Sequence, residues 1–173
     1  MIELALGGAR SGKSRYAELQ AIESGKQVIY IATAEAGDSE MQTRIDIHRQ
    51  ERPPEWKTVE EPIELAEIIK MHENSHSYLL VDCLTLWLSN ILFDKKGRLQ
   101  QAVFDKQTAE LFAVLAGFSG QLIFVSNEVG SGIIAMDKMT RLFVDEAGFL
   151  HQKIAALSNK VVLITAGLPQ VLK

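Results

Sequence analysis

Eight residues near the start of the chain, Gly7-Gly-Ala-Arg-Ser-Gly-Lys-Ser14, leave few folds open to it. They carry the spacing Gly-x-x-x-x-Gly-Lys-Ser and follow directly on the apolar run Ile2-Glu-Leu-Ala-Leu6, the strand–loop–helix context in which such a loop wraps phosphate. Glycines at both ends let the backbone curl so that successive N–H groups face inward at phosphate oxygens. Gly7, Gly8, Ala9, Arg10, Ser11 and Gly12 are read as the cradle, and Lys13 as the catalytic cation that reaches the β- and γ-phosphates. Ser14 offers its hydroxyl to Mg²⁺, and the helix that follows turns its positive end toward the anion. That helix ends near Gly25. The stretch predicts a nucleoside triphosphate site.

Along the rest of the chain, strands and helices alternate. Val28–Ala32, Tyr78–Asp82, Gln121–Ser126 and Lys160–Thr165 are nearly continuous apolar runs, the mark of strands buried on both faces. Between them, Ser39 and Gln42 give a capping-box start to a helix reaching about Glu51, which Pro53-Pro54 forbids from continuing. Glu61-Pro62 is read as opening another helix, with Ile63, Ala66 and Ile69 in helical spacing. Further helices are expected over 84–93 and 100–116, and Asp137 caps a long one to about Ser158. The stretch from Glu51 to Glu60 leaves room for a short extra strand. The expectation is one domain over residues 1–173, α/β, a mainly parallel sheet covered by helices on both faces.

Open sheets of this kind bind ligands at the carboxyl ends of their strands. Asp82 ends an apolar strand there, the position of a carboxylate that holds Mg²⁺ directly or through water, although a strand-end aspartate is also a common turn-former. Arg44, His48 and Arg52 recur every four residues, so a helix stacks them on one face with Arg49 adjacent. Forked guanidinium donors suit phosphate, and their charge opposes protonation of His48, as a nucleophile requires, while the helix C-terminus pushes the other way. From spacing alone, an exposed histidine on a charged helix face is the plainer alternative. Glu128 either faces the nucleotide or an acceptor hydroxyl, or is structural. His72, His76, His151 and Cys83 have no metal-like spacing.

Other classes recede. A net charge of −4 without a basic cluster gives no sign of a nucleic-acid surface, and no apolar run has the length of a membrane span. A single cysteine permits no internal disulfide, and the amino-terminal residues do not read as a signal peptide, so the cytoplasm is the expected compartment. Switch GTPases read guanine with Asn-Lys-x-Asp, whereas Asn159-Lys160-Val161 is followed here by Val162.

A wider set of stretches resembles one family. Gly7–Ser14, Tyr30-Ile-Ala-Thr-Ala34, Glu40-Met41 with Arg44-Ile45 and His48, Arg52-Pro53-x-x-Trp56 and Val59-Glu-Glu-Pro62 come first. Val81-Asp-Cys-Leu-Thr-Leu-Trp-Leu-Ser-Asn90, Val125-Ser-Asn-Glu-Val-Gly130 and Ala166-Gly-Leu-Pro169 follow in the same order. Together they are similar to the bifunctional adenosylcobinamide kinase/adenosylcobinamide-phosphate guanylyltransferases of cobalamin biosynthesis. The resemblance implies a RecA-like P-loop fold, a homotrimer, and two reactions. The hydroxyl of adenosylcobinamide takes the γ-phosphoryl group of ATP or GTP. His48 then attacks the α-phosphate of GTP, releasing pyrophosphate, and passes GMP to the new adenosylcobinamide phosphate. Ala32, Thr33, Ala34, Arg49, Gln50, Glu51, Arg52, Glu60 and Asp82 are implied to line the nucleotide site. His151 and Val144 stand where an asparagine and an arginine are common. Two rivals remain: a P-loop kinase without nucleotidyl transfer, and a binding protein gated by triphosphate.

Overall fold

The structure is a computed structural model that describes residues 1–35 and 53–173. The helix expected over 39–51 lies outside the described residues. The chain runs β1 (Ile2–Gly7), α1 (Lys13–Glu23), β2 (Gln27–Ala32), β3 (Lys57–Glu60), α2 (Leu65–His72) and β4 (Ser77–Asp82). It continues through α3 (Leu84–Leu92), α4 (Gln101–Gly117), β5 (Gln121–Asn127), α5 (Lys138–Leu157), β6 (Lys160–Thr165) and β7 (Leu168–Val171). The seven strands form one sheet in the order β3-β2-β4-β5-β1-β6-β7, parallel throughout except for the antiparallel β6–β7 pair.

Alternation along each buried strand sends side chains to two cores. Leu4, Ile29, Ile31, Leu79, Val81, Leu122 and Phe124 meet residues of α2, α3, α4 and α5 on one face, with Trp87 fully buried among them. Ala5, Tyr30, Leu80, Ile123, Val125 and Val162 meet Ala17 and Ala21 of α1 on the other. Small residues on α1 let it lie close across β1 and β5, bringing its first turn to the centre of the sheet edge.

A charged cluster lies on the α1 face. Glu3 is 1 % exposed; its carboxylate accepts from the Tyr16 hydroxyl at 2.6 Å and pairs with Lys160 at 3.1 Å. Lys160 also donates to the Tyr16 oxygen at 2.7 Å. Burial by itself lowers the Lys160 pKa, but the bonds to Tyr16 and Glu3 carry it above the usual lysine value. Removing one partner strands the other's charge in a dry site. Because Lys160 is itself 33 % exposed, Lys160→Met is expected to lower the unfolding free energy by about 3 kcal/mol, the low end for a broken buried pair, in urea titrations at pH 7. A raised folded pKa means a contribution complete below the ordinary lysine range and lost as pH rises through the raised value. The difference between wild type and variant should therefore shrink only above about pH 10.

Two elements differ from expectation. The segment at Glu61-Pro62 is not yet helical: the Glu61 carboxylate accepts the N–H groups of Ile63 and Glu64 at 2.9 and 2.8 Å, forming a turn, and α2 begins only at Leu65. Trp87 Nε1 and Asn90 Nδ2 then hold the carbonyls of Ile63 and Pro62 at 2.9 and 3.2 Å. The second difference is β7, which returns through Ala166 and Gly167, both at positive φ (53° and 78°), the requirement of a tight hairpin turn. β3 occupies the space left open before Glu60, and Asp137 caps α5 by accepting from Thr140 N at 2.8 Å. Among the described residues no helix is long and apolar enough to cross a membrane.

Candidate nucleotide-binding site

Register alone places Gly7, Ala32, Glu60 and Asp82 on one edge. Ala32 lies between Glu60 of β3 and Asp82 of β4, while Gly7 at the end of β1 pairs with Asn127 at the end of β5. The phosphate loop therefore rises from the middle of the sheet, with Asp82 one strand removed across β5.

Inside the loop the backbone is turned tightly. Ser11 N donates to Gly8 O at 3.2 Å, Arg10 takes φ 55° and Gly12 takes φ 95°. The first glycine is required by space: a Cβ on Gly7 would lie 2.4 Å from Ser11 Oγ and 2.6 Å from the Ile164 carbonyl. The last is required by conformation, since its φ excludes most side chains and a Cβ would press Gly167 Cα at 3.2 Å. Gly167 N also donates to Ser11 O at 2.8 Å, so the β6–β7 turn braces the loop from below. The sequence marked Ala166-Gly-Leu-Pro169 as a stretch shared with the family but gave it no part in bracing the phosphate loop; the paired turn residues are the one local signal of this support.

Lys13 is buried although Gly8, Ala9 and Arg10 beside it are exposed. Its ammonium donates to Gly8 O at 3.1 Å. Burial pulls its pKa down, while Asp82 and Cys83 pull the other way. Asp82 accepts from the Tyr30 hydroxyl at 2.9 Å, a partner that spacing did not suggest, and Tyr30 in turn stacks on Trp56 at 6.4 Å between centroids. Ser11 Oγ is a buried hydroxyl without a protein partner among the described residues. Ser14 and Asp82 are hard oxygen donors on the same edge as Lys13. Such oxygen donors are of the kind that bind Mg²⁺ together with phosphate and water.

Other candidate side chains are engaged in bonds within the fold. Thr33 is fully buried; its hydroxyl donates to Cys83 O at 2.7 Å and accepts from Cys83 N at 2.8 Å, tying the ends of β2 and β4 together. Cys83 is buried, and burial raises its thiol pKa to about 11, so it remains a neutral packing group. The Glu128 carboxylate accepts from Gly130 N at 2.7 Å and Ser131 N at 3.2 Å. Burial would raise its pKa, but these bonds hold it below the usual carboxylate value, as an anion tied into its own loop. His151 meets Ser126 Oγ at 2.7 Å, and burial lowers its pKa against the opposing charge of Glu128. Ser126 shares a hydrogen bond with Thr85 at 3.3 Å, and Thr85 accepts from Asn127 N at 2.7 Å, a polar chain beneath the β5 loop. His48, Arg44, Arg49, Gln50, Glu51 and Arg52 lie outside the described residues.

A strand, a phosphate loop, a helix and a facing aspartate on a parallel sheet define a P-loop nucleotide-binding protein of the RecA-like kind. The family model described as cobinamide kinase / cobinamide phosphate guanyltransferase matches residues 3–172, and the chain belongs to that family. It is 49 % identical over 174 residues to the bifunctional adenosylcobalamin biosynthesis protein CobP of Pseudomonas aeruginosa, covering 100 % of this chain and 98 % of that one. It is 40 % identical over 177 residues to the CobU protein of Escherichia coli K12, with 97 % of each chain covered. In fold it is also similar to a solved structure from Pyrococcus horikoshii OT3, with a TM-score of 0.57 over 99 % of this chain and 85 % of the other at 9 % identity.

Proposed function

We propose that this chain phosphorylates adenosylcobinamide and then guanylylates the product, using one nucleotide site for both reactions. The observation that carries the proposal is the braced phosphate loop with Lys13 buried beside Asp82, in a chain that matches the family model from residue 3 to 172. In the first reaction the acceptor hydroxyl oxygen attacks the γ-phosphorus of ATP or GTP, the bond to the β-phosphate oxygen breaks, and the hydroxyl proton leaves with solvent or product. Loop amides and Lys13 hold the phosphates in line and spread the charge. Mg²⁺, held through Ser14 and Asp82, would neutralise charge between the β- and γ-phosphates. In the second reaction an imidazole nitrogen of His48 attacks the α-phosphorus of GTP, releasing pyrophosphate. A phosphate oxygen of the acceptor then displaces the histidine, giving adenosylcobinamide-GDP. Two steps of this kind avoid bringing two polyanions together directly. Ala32, Ala34 and Glu60 border the nucleotide with Arg49–Arg52, and Thr33 serves by clamping β2 to β4. The assembly is a cytoplasmic homotrimer.

Incubation with Mg²⁺ and GTP, followed by mass measurement of the denatured chain, tests the guanylyl step directly. The expected result is an acid-labile adduct of one GMP per chain. An unmodified chain that still phosphorylates adenosylcobinamide would reduce the protein to a simple kinase; neither activity would restore a nucleotide-gated binder.

A further inference from the structure

The connection from β5 to α5 carries large apolar side chains turned fully outward. Ile133 and Met136 are exposed completely and Ile134 nearly so. Yet this loop is fastened at both ends: Glu128 holds the amides of Gly130 and Ser131, and Arg141 donates to the carbonyls of Ala135 and Met136 at 3.0 and 2.6 Å. Its root touches the phosphate site, because Glu128 N donates to Gly7 O at 3.0 Å. Between Glu128 and Asp137 there is no charged side chain. An anchored, neutral, apolar surface beside a phosphate loop does nothing for a polyanionic nucleotide; clustered exposed apolar groups mark a binding surface. The partner that must approach the terminal phosphate is the acceptor, whose corrin macrocycle is rimmed by methyl groups and neutral amides.

We propose that residues 129–136 form the acceptor-binding loop, with Ile133, Ile134 and Met136 bedding the apolar rim of the corrin ring beside the phosphates. The proposal rests on the kinase reading for its ligand, so its test is a binding measurement that needs no turnover. Full-length Ile133→Ser/Ile134→Ser/Met136→Ser protein and wild type are titrated with adenosylcobinamide, followed by the visible absorbance of the corrin. Light scattering reports the subunit number, and the GTP-dependent adduct reports the nucleotide site. The expected result is at least a tenfold rise in the corrinoid Kd with unchanged mass and adduct. An unchanged Kd overturns the proposal, and so does a loss of subunits in the variant, which would assign the loop to contact between copies. A wild-type chain that forms no adduct but binds the corrinoid through this loop would sink the guanylyl-transfer reading alone. A wild type that binds no corrinoid sinks the loop proposal.

Discussion

Replacing Lys13 by alanine is expected to lower kcat/KM for phosphoryl transfer to adenosylcobinamide by about a hundred- to a thousandfold, the usual cost of removing one preorganised charge-stabilising group. Lys13 is the buried cation of the phosphate loop, with the Asp82 carboxylate as a group that favours its charge. Because burial depresses its pKa, the native state works against that charge, and its removal should leave the thermal midpoint unchanged or slightly higher. Lys13→Arg should rescue little: the ammonium reaches Gly8 O at 3.1 Å within a closely turned loop, and the longer planar guanidinium has another shape. Steady-state kinetics with thermal melts of both variants check this. Activity within tenfold of wild type, or loss of activity that merely follows loss of fold, would remove Lys13 from the chemistry.

What the sequence made legible follows how strongly each feature is fixed locally. The phosphate loop was readable because its glycines answer two hard demands, the space beside Ile164 O at Gly7 and the left-handed backbone at Gly12. The five long strands were readable because burial on both faces keeps them nearly continuously apolar. β3 and β7 are four residues each and mostly exposed, so neither alternation nor an apolar run announces them. Pro169 in β7 further disguises an edge strand as a loop. At Glu61-Pro62, a proline acceptable in a helix's first turn stands instead in a turn made by the Glu61 side chain, and no periodicity distinguishes the two.

The candidate site divides in the same way. Asp82 was placed correctly on the edge by its position at a strand end, but its phenolic partner comes from Tyr30 on a neighbouring strand, a contact created only by the β2–β4 register. Thr33 was assigned to the nucleotide site by the family resemblance; the bonds of its hydroxyl to Cys83 between strands depend on the direction in which the β2 terminus turns and are not written in the sequence. Glu128 was left between a chemical and a structural role, and its two loop amides favour the structural one. Each case has the same cause. Sequence locates a residue along its element, whereas the partner that decides its chemistry arrives from another element.

His48→Ala is expected to separate the two reactions. Guanylyl transfer to adenosylcobinamide phosphate should fall by at least about a thousandfold, since without a nucleophile the covalent route is closed and no adduct forms. Phosphorylation of adenosylcobinamide should stay within about tenfold of wild type, because attack of an alcohol on the γ-phosphate requires positioning and charge stabilisation from the phosphate loop, not an imidazole. The contrast with Lys13→Ala is diagnostic: on the proposed scheme Lys13 holds the β- and γ-phosphates, so its loss should weaken both reactions, whereas loss of His48 should affect only the one at the α-phosphate. Separate assays of adenosylcobinamide phosphate and adenosylcobinamide-GDP, with mass measurement of the protein after GTP, make the comparison. His48→Asn, which keeps a polar side chain of similar reach but cannot carry GMP, should behave as alanine does in the second reaction. If a folded His48→Ala protein loses both activities equally, the histidine orders the shared nucleotide site and does not carry the guanylyl group. If it retains the adduct, the nucleophile is another residue.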